Sequence, residues 1–140
     1  MTVDFCDAAQ RYWEDAAHLL ADRRLANADH LFGVSAECAL KAIMMGLGMT
    51  LRADGAPDDQ RHRVHINKLW DEFLTFATSR GGARFAVTLA PHTNPFGNWK
   101  VDQRYDARSS FTLPTVQAHQ NGAGLVKVCL DKAILDGVVI

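Results

Sequence analysis

The sequence has almost no net charge, and this excludes a broadly basic binding surface. Its 140 residues carry 15 lysines and arginines against 16 aspartates and glutamates, a formal charge of -1. A protein that follows a long stretch of nucleic acid or an anionic membrane has a clear excess of cationic side chains. Any phosphate-bearing partner is therefore expected at one small, local site.

The sequence also has few cysteines and no long apolar run. Cys6, Cys38 and Cys129 are odd in number and far apart, which is typical of buried thiols in a reducing compartment and not of a disulfide framework. No stretch reaches the roughly eighteen apolar residues of a membrane span. The first residues include acids where a secretory signal has a basic start. We therefore expect a cytoplasmic protein that does not associate with a membrane.

Motifs of several common enzyme classes are missing. The sequence contains no G-x-S-x-G, no H-E-x-x-H and no P-loop. His62 and His65 lie close together, but no cysteine or third histidine at zinc-like spacing accompanies them. We therefore predict neither a metal ion nor a cofactor.

What the sequence does contain is helical periodicity. Apolar residues recur every three to four positions, which predicts helices over about 5–20, 24–48, 66–80 and 112–136. Thr112 provides a hydroxyl cap for the last helix, and the segment 83–90 is either a short helix or an apolar strand. With 48% apolar residues, we expect one domain over 1–140. The predicted fold is an all-α, antiparallel up-and-down bundle of four or five helices.

The long loop 91–111 is the first candidate for a functional site, because loops of this length often carry function. It contains Trp99, Arg104 and Tyr105, and such side chains stack on bases and bind phosphates. In a second interpretation, Trp99 and Tyr105 pin the loop to the bundle, and Arg104 pairs with a carboxylate such as Glu37.

The second helix carries a narrow polar stripe of four side chains: Arg23, His30, Glu37 and Lys41. They lie within about 40° of one another on the helical wheel. Either the stripe faces solvent, with Glu37 and Lys41 as an i,i+4 ion pair, or it lines a groove. The basic segment 61–68 before the third helix likewise has two interpretations, a phosphate site at the helix amino terminus or a solvated loop.

Several of these segments resemble one known family. Residues 30–33 (HLFG), 36–42 (AECALKA), 65–70 (HINKLW) and 104–105 (RY) are similar to the HEPN (higher eukaryotes and prokaryotes nucleotide-binding) superfamily, over about 5–136. The resemblance implies a helical bundle, commonly a homodimer, in toxin–antitoxin, phage-defence or RNA-processing systems. It also implies a nucleotidyltransferase-like protein partner.

The chain departs from this family at its nuclease motif. Many members cleave RNA without metal through an Arg-x(4–6)-His motif near the last helix. His119 is present there, but the arginine positions are occupied by Thr112, Leu113 and Pro114. Formal matches such as Arg23 with His30 lie on the first two helices instead.

These observations predict a nucleotide or RNA site between the second helix and the 91–111 loop. Arg104 and Lys41 would contact phosphate, Trp99 or Tyr105 would stack on a base, and His65 would donate a hydrogen bond. Glu37 is a further candidate for this binding site. A second hypothesis is a metal-independent ribonuclease toxin that uses His30, His65 and Arg104. A third is a non-catalytic interaction module, an antitoxin or a scaffold.

Overall fold

The predicted all-α bundle is confirmed by a computed structural model, which describes residues 2–140. Its five helices are α1 (Phe5–Ala21), α2 (Leu25–Gly46), α3 (Ile66–Ser79), α4 (Ala83–Ala86) and α5 (Leu113–Leu135). Three 3-10 turns occupy Gln60–His62, Val101–Tyr105 and Arg108–Ser110. The described part of the chain contains no strand, only an isolated bridge between Leu51 and Pro57.

Helix α2 is the centre of the bundle. It contacts α1, α3 and α5 as well as the 3-10 turn Val101–Tyr105. Phe32, Leu40, Ile43 and Met44 on this helix are fully buried. Because the apolar side chains cover most of its circumference, burial on several sides is the only arrangement that removes them from water. Polar residues of α2 therefore occupy positions next to other elements.

Two local predictions have different outcomes. The segment 83–90 begins with the short helix α4, so the helical alternative is correct there. Thr112 is the cap residue of α5, as predicted, but its hydroxyl donates to Thr115 Oγ1 at 3.0 Å and caps no backbone N–H. Pro114 lies in the first turn of α5, where its missing N–H breaks no helical hydrogen bond.

The three cysteines are unpaired, and Cys38 and Cys129 are buried. Burial raises the pKa of the Cys38 thiol to about 12, so it behaves as a small apolar side chain. Within residues 2–140, no helix has the length and apolar character to cross a membrane.

Candidate functional site

The 91–111 loop is docked against α2 and α5, and two glycines make room for it. A Cβ built on Gly33 would lie 2.1 Å from Trp99 Cε2, and one on Gly122 would lie 2.5 Å from the Pro95 ring. Trp99 and Phe96 are fully buried as a result. The loop is therefore part of the packed structure.

A set of hydrogen-bonded polar side chains fixes the position of the loop. We name it the Asp29 network, and its members are Asp29, Asn98, Gln103 and His119. Asp29 is 1% exposed, and its carboxylate accepts from His119 Nδ1 at 2.6 Å and from Gln103 Nε2 at 2.5 Å. His119 Nε2 lies 2.7 Å from Asn98 Oδ1, and Gln103 Oε1 accepts from the Lys100 N–H at 3.0 Å. Buried polar groups persist only when they are hydrogen-bonded, so this network requires the loop in this position.

Trp99 does not stack on a ligand base, and that part of the sequence prediction is wrong. Its side chain has no exposed surface, its indole N–H donates to the Asp29 carbonyl at 3.1 Å, and its ring stacks on His30 at 5.9 Å. The pinning interpretation is correct for this residue. Tyr105 is different, because it is 77% exposed with the Arg104 guanidinium 4.8 Å from its ring centre.

Part of the polar stripe meets the amino terminus of α3 through Glu37. Glu37 Oε2 accepts from Lys41 Nζ at 3.1 Å, and Glu37 Oε1 lies 2.9 Å from His65 Nδ1. Lys41 is only 8% exposed, so the solvent-face interpretation fails for it. Arg23, at the end of the stripe, is exposed. We name His30, Glu37, Lys41 and His65 the imidazole cluster.

The two histidines of this cluster have opposite pKa shifts. The hydrogen bond with Glu37 raises the pKa of His65 above 6.5, against the opposing effect of burial. Burial lowers the pKa of His30, and the positive charge of Arg104 lowers it further. Burial raises the pKa of the Glu37 carboxyl, but the contacts with His65 and Lys41 outweigh this and leave it below its usual value.

His30 also has an unused nitrogen. Its Nδ1 is buried and has no hydrogen-bond partner among residues 2–140. The lowered pKa of His30 favours its neutral form, and the raised pKa of His65 favours its protonated form. The two rings of the cluster therefore differ in the protonation state that each favours.

Arg104 lies beside this cluster without a partner of its own. Its positive charge lowers the pKa of both His30 and His65. It does not pair with Glu37, and it forms no ion pair with any carboxylate in the described chain. The alternative in which Arg104 serves a carboxylate is therefore wrong.

On its other side, Arg104 lines a cleft that the sequence interpretation missed. We name it the arginine cleft. It has a volume of about 540 Å³ and lies between the α1–α2 turn and the 3-10 turns of the loop. Its cationic side chains are Arg23, Arg24, Arg104 and Arg108. In the sequence, the adjacent Arg23 and Arg24 were the only indication of this cleft. That Arg104 and Arg108 line the same cleft becomes visible only once the loop is seen docked against the bundle.

The two arginines of the basic segment 61–68 are held by their own neighbours. The Arg61 guanidinium binds both carboxylate oxygens of Asp59, and Arg63 donates to the backbone carbonyls of Pro57 and Asp58. His62 is buried. Only His65 of this segment joins the imidazole cluster. In the described residues, no three potential metal ligands of the His, Cys, Asp or Glu type come together.

Comparisons with protein-family models, curated proteins and solved structures find no match to this chain.

Proposed function

We propose that this protein binds the phosphate groups of a nucleotide or an RNA segment at Arg104, between the imidazole cluster and the arginine cleft. On the HEPN resemblance, it acts in the cytoplasm in a toxin–antitoxin, phage-defence or RNA-processing system. One observation carries the proposal. Arg104 is an unpaired guanidinium on a segment that the Asp29 network holds in a fixed position.

The positioning of Arg104 supports binding in preference to a solvated surface charge. Gln103, the preceding residue, is buried and bonded to Asp29, so the backbone that carries Arg104 cannot drift. Because the backbone is already fixed, only the Arg104 side chain has to be ordered when it binds a phosphate through two parallel hydrogen bonds. Exposed Tyr105 beside it offers a ring on which a base can stack.

The test compares Arg104→Ala with the matched variant Arg80→Ala. Arg80 is also exposed, also lies over an aromatic ring, Phe76 at 4.7 Å, and also forms no ion pair among residues 2–140. A charge-assisted contact contributes about 1.5–3 kcal/mol, so Arg104→Ala should weaken binding by roughly ten- to hundredfold. Fluorescence anisotropy with a labelled single-stranded RNA and with labelled nucleotides measures this directly.

Arg80→Ala should bind as the wild type does, and Arg104→Lys should recover only part of the affinity because ammonium cannot form the planar fork. Equal losses in Arg104→Ala and Arg80→Ala would mean that binding depends on total charge alone. No binding by the wild type at low salt would refute the proposal.

A metal-independent ribonuclease is the second candidate, and the opposite pKa shifts of His30 and His65 favour it. In such a reaction, neutral His30 takes the proton of a ribose 2′-hydroxyl at Nε2, because its Nδ1 is buried, and the hydroxyl oxygen attacks phosphorus. The bond from phosphorus to the 5′-oxygen breaks, and that oxygen takes a proton from His65. Arg104 stabilises the negative charge that develops on the phosphoryl oxygens.

This activity predicts RNA cleavage in the presence of EDTA, with a 2′,3′-cyclic phosphate at the product end. His30→Ala, His65→Ala and Arg104→Ala should each abolish it, while His92→Ala, an exposed histidine in the 91–111 loop, should leave it unchanged. Intact RNA after long incubation with wild-type protein would leave binding as the function.

The same resemblance leads us to propose a homodimer and a nucleotidyltransferase-like partner. Mass measurement in solution tests the first, and co-expression with such a protein encoded beside this chain tests the second. A monomer at micromolar concentration would contradict the dimer.

A further inference from the structure

We propose that the arginine cleft is a subsite for a linear di- or triphosphate group, and that it recognises the number of phosphates and not the base. This inference rests on the proposed function, because both use Arg104. It goes further in assigning a role to Arg24 and Arg108 and in naming the chemical class of ligand.

The charges that line the cleft require a multiply charged ligand. Four arginines face it against only Asp22 and Asp106, which leaves two positive charges uncompensated. The only ion pair among these groups within the described chain is the loose contact of Arg24 with Asp22 at 4.0 Å. An internal phosphodiester carries one negative charge, whereas a nucleoside diphosphate carries about three at pH 7, because the second ionisation of its terminal phosphate has a pKa near 6. The cleft therefore matches a chain of phosphates better than a single diester.

The shape of the cleft supports the same ligand. Arg23 and Arg24 come from the α1–α2 turn, and Arg104 and Arg108 come from the 3-10 turns of the loop. A phosphate chain bound between these elements can receive guanidinium forks from both. The volume of about 540 Å³ is in the range of roughly 300–1,000 Å³ typical of small-molecule sites, and exceeds what one phosphate needs.

The local backbone adds to the positive potential. Leu25, Ala26 and Asn27, the first turn of α2, line the cleft, and no side chain caps that end of the helix. Their N–H groups and the helix dipole favour negative charge at this position. Among residues 2–140, no aromatic side chain lines the cleft, so these residues offer no ring for a base there.

Calorimetry with inorganic tripolyphosphate, pyrophosphate and orthophosphate tests the inference on the full chain. We expect tripolyphosphate to bind at least tenfold more tightly than orthophosphate. ATP, GTP, CTP and UTP should bind within about threefold of one another. A double variant, Arg24→Ala with Arg108→Ala, should weaken tripolyphosphate binding at least tenfold.

The matched control is Arg52→Ala with Arg80→Ala, which removes the same charge from exposed positions outside the cleft. Arg24 is the cap residue of α2, so the single variant Arg108→Glu provides a second reading if the double variant has a lowered Tm. Arg108 lies in an exposed 3-10 turn and is not expected to change folding.

The outcomes separate this inference from the proposed function. Absent or equally weak binding of all three phosphates, with RNA binding that still depends on Arg104, overturns the inference and leaves the function standing. Tripolyphosphate binding that depends on Arg24 and Arg108, without any binding of RNA, supports the cleft and refutes the RNA interpretation. Strong discrimination among the four nucleotides would overturn base independence.

Discussion

The Asp29 network joins separate parts of the bundle through one buried carboxylate, so removal of that carboxylate should lower stability substantially. Asp29→Ala deletes a carboxylate that is 1% exposed and that joins α2 to α5 and to the 3-10 turn Val101–Tyr105. The variant leaves His119 Nδ1 and Gln103 Nε2 buried without their acceptor. The packing of Trp99 against α2 has to hold the loop alone.

The expected size of the effect follows from these two lost partners. An unsatisfied buried donor costs about 1–3 kcal/mol, so the free energy of unfolding should fall by about 2–6 kcal/mol. For a domain of this length each kcal/mol lowers the Tm by roughly 4 °C, which predicts a decrease of about 8–24 °C. Asp29→Asn keeps the side-chain volume and one acceptor, so it should lie between wild type and Asp29→Ala.

The assay combines thermal unfolding with hydrogen exchange. Asp131→Ala is the control, because Asp131 pairs with Lys127 at 3.0 Å on the surface and should cost less than about 1 kcal/mol. The Lys100 N–H, which donates to Gln103 Oε1, reports on the loop itself. Its exchange should accelerate in Asp29→Ala more than the change in global stability predicts.

Two results would refute this reasoning. A Tm for Asp29→Ala within 3 °C of the wild type would show that the carboxylate contributes little. Unchanged exchange at Lys100, together with a lower Tm, would show that Asp29 stabilises the bundle without fixing the loop. In the second case, Arg104 would owe its position to the aromatic packing.

Other predictions address single contacts. Gly33→Ala places a Cβ 2.1 Å from a buried carbon of the Trp99 indole and should destabilise the protein by about 1–3 kcal/mol or more. In Gly124→Ala the nearest neighbour of the new Cβ is at 3.6 Å, so this substitution should stabilise α5 by about 0.5–1 kcal/mol. The two variants should shift the Tm in opposite directions, and equal shifts would contradict the prediction. In NMR titrations His65 should titrate above pH 6.5 and His30 below it, and Arg104→Ala should raise the pKa of both; identical pKa values in wild type and variant would show that Arg104 lies elsewhere. The pKa of His65 is raised in the folded state, so its contribution to stability is complete below pH 6.5 and is lost as the pH rises through the folded-state pKa. The difference in stability between the wild type and His65→Gln should therefore shrink at alkaline pH.

Much of the fold was predictable because it depends on local periodicity. Helix α3 begins at Ile66 as predicted, and α1, α2 and α5 end within about two residues of the predicted bounds. The hydrogen bond at the cap of α5 was less predictable, because a cap hydroxyl can bond either a backbone N–H or a neighbouring side chain, and Thr112 bonds the Thr115 hydroxyl. Such a choice depends on the orientation of a single side chain.

The candidate site was predictable only in part. The helical wheel placed His30, Glu37 and Lys41 on one face of α2. It could not show that the amino terminus of α3, which is distant in sequence, brings His65 into contact with Glu37. An aromatic residue in a long loop has the same sequence signal whether it is exposed or buried. Trp99 can pack in the interior because Gly33 on α2 has no side chain in the space that the indole ring occupies.

The hydrogen bond between Asp29 and Gln103 links two pairs of residues that are adjacent in sequence, Asp29–His30 and Gln103–Arg104. These two pairs form a sequence pattern by which relatives can be recognised. Asp29 precedes His30, and Gln103 precedes Arg104, so each buried anchor adjoins one candidate functional side chain. A one-residue deletion within 99–104 would therefore separate Gln103 from Asp29 and displace Arg104, whereas length changes beyond α5 would not alter the anchor. Homologous chains that keep the function should retain both adjacent pairs and their spacing together, and should lose them together when the function is lost.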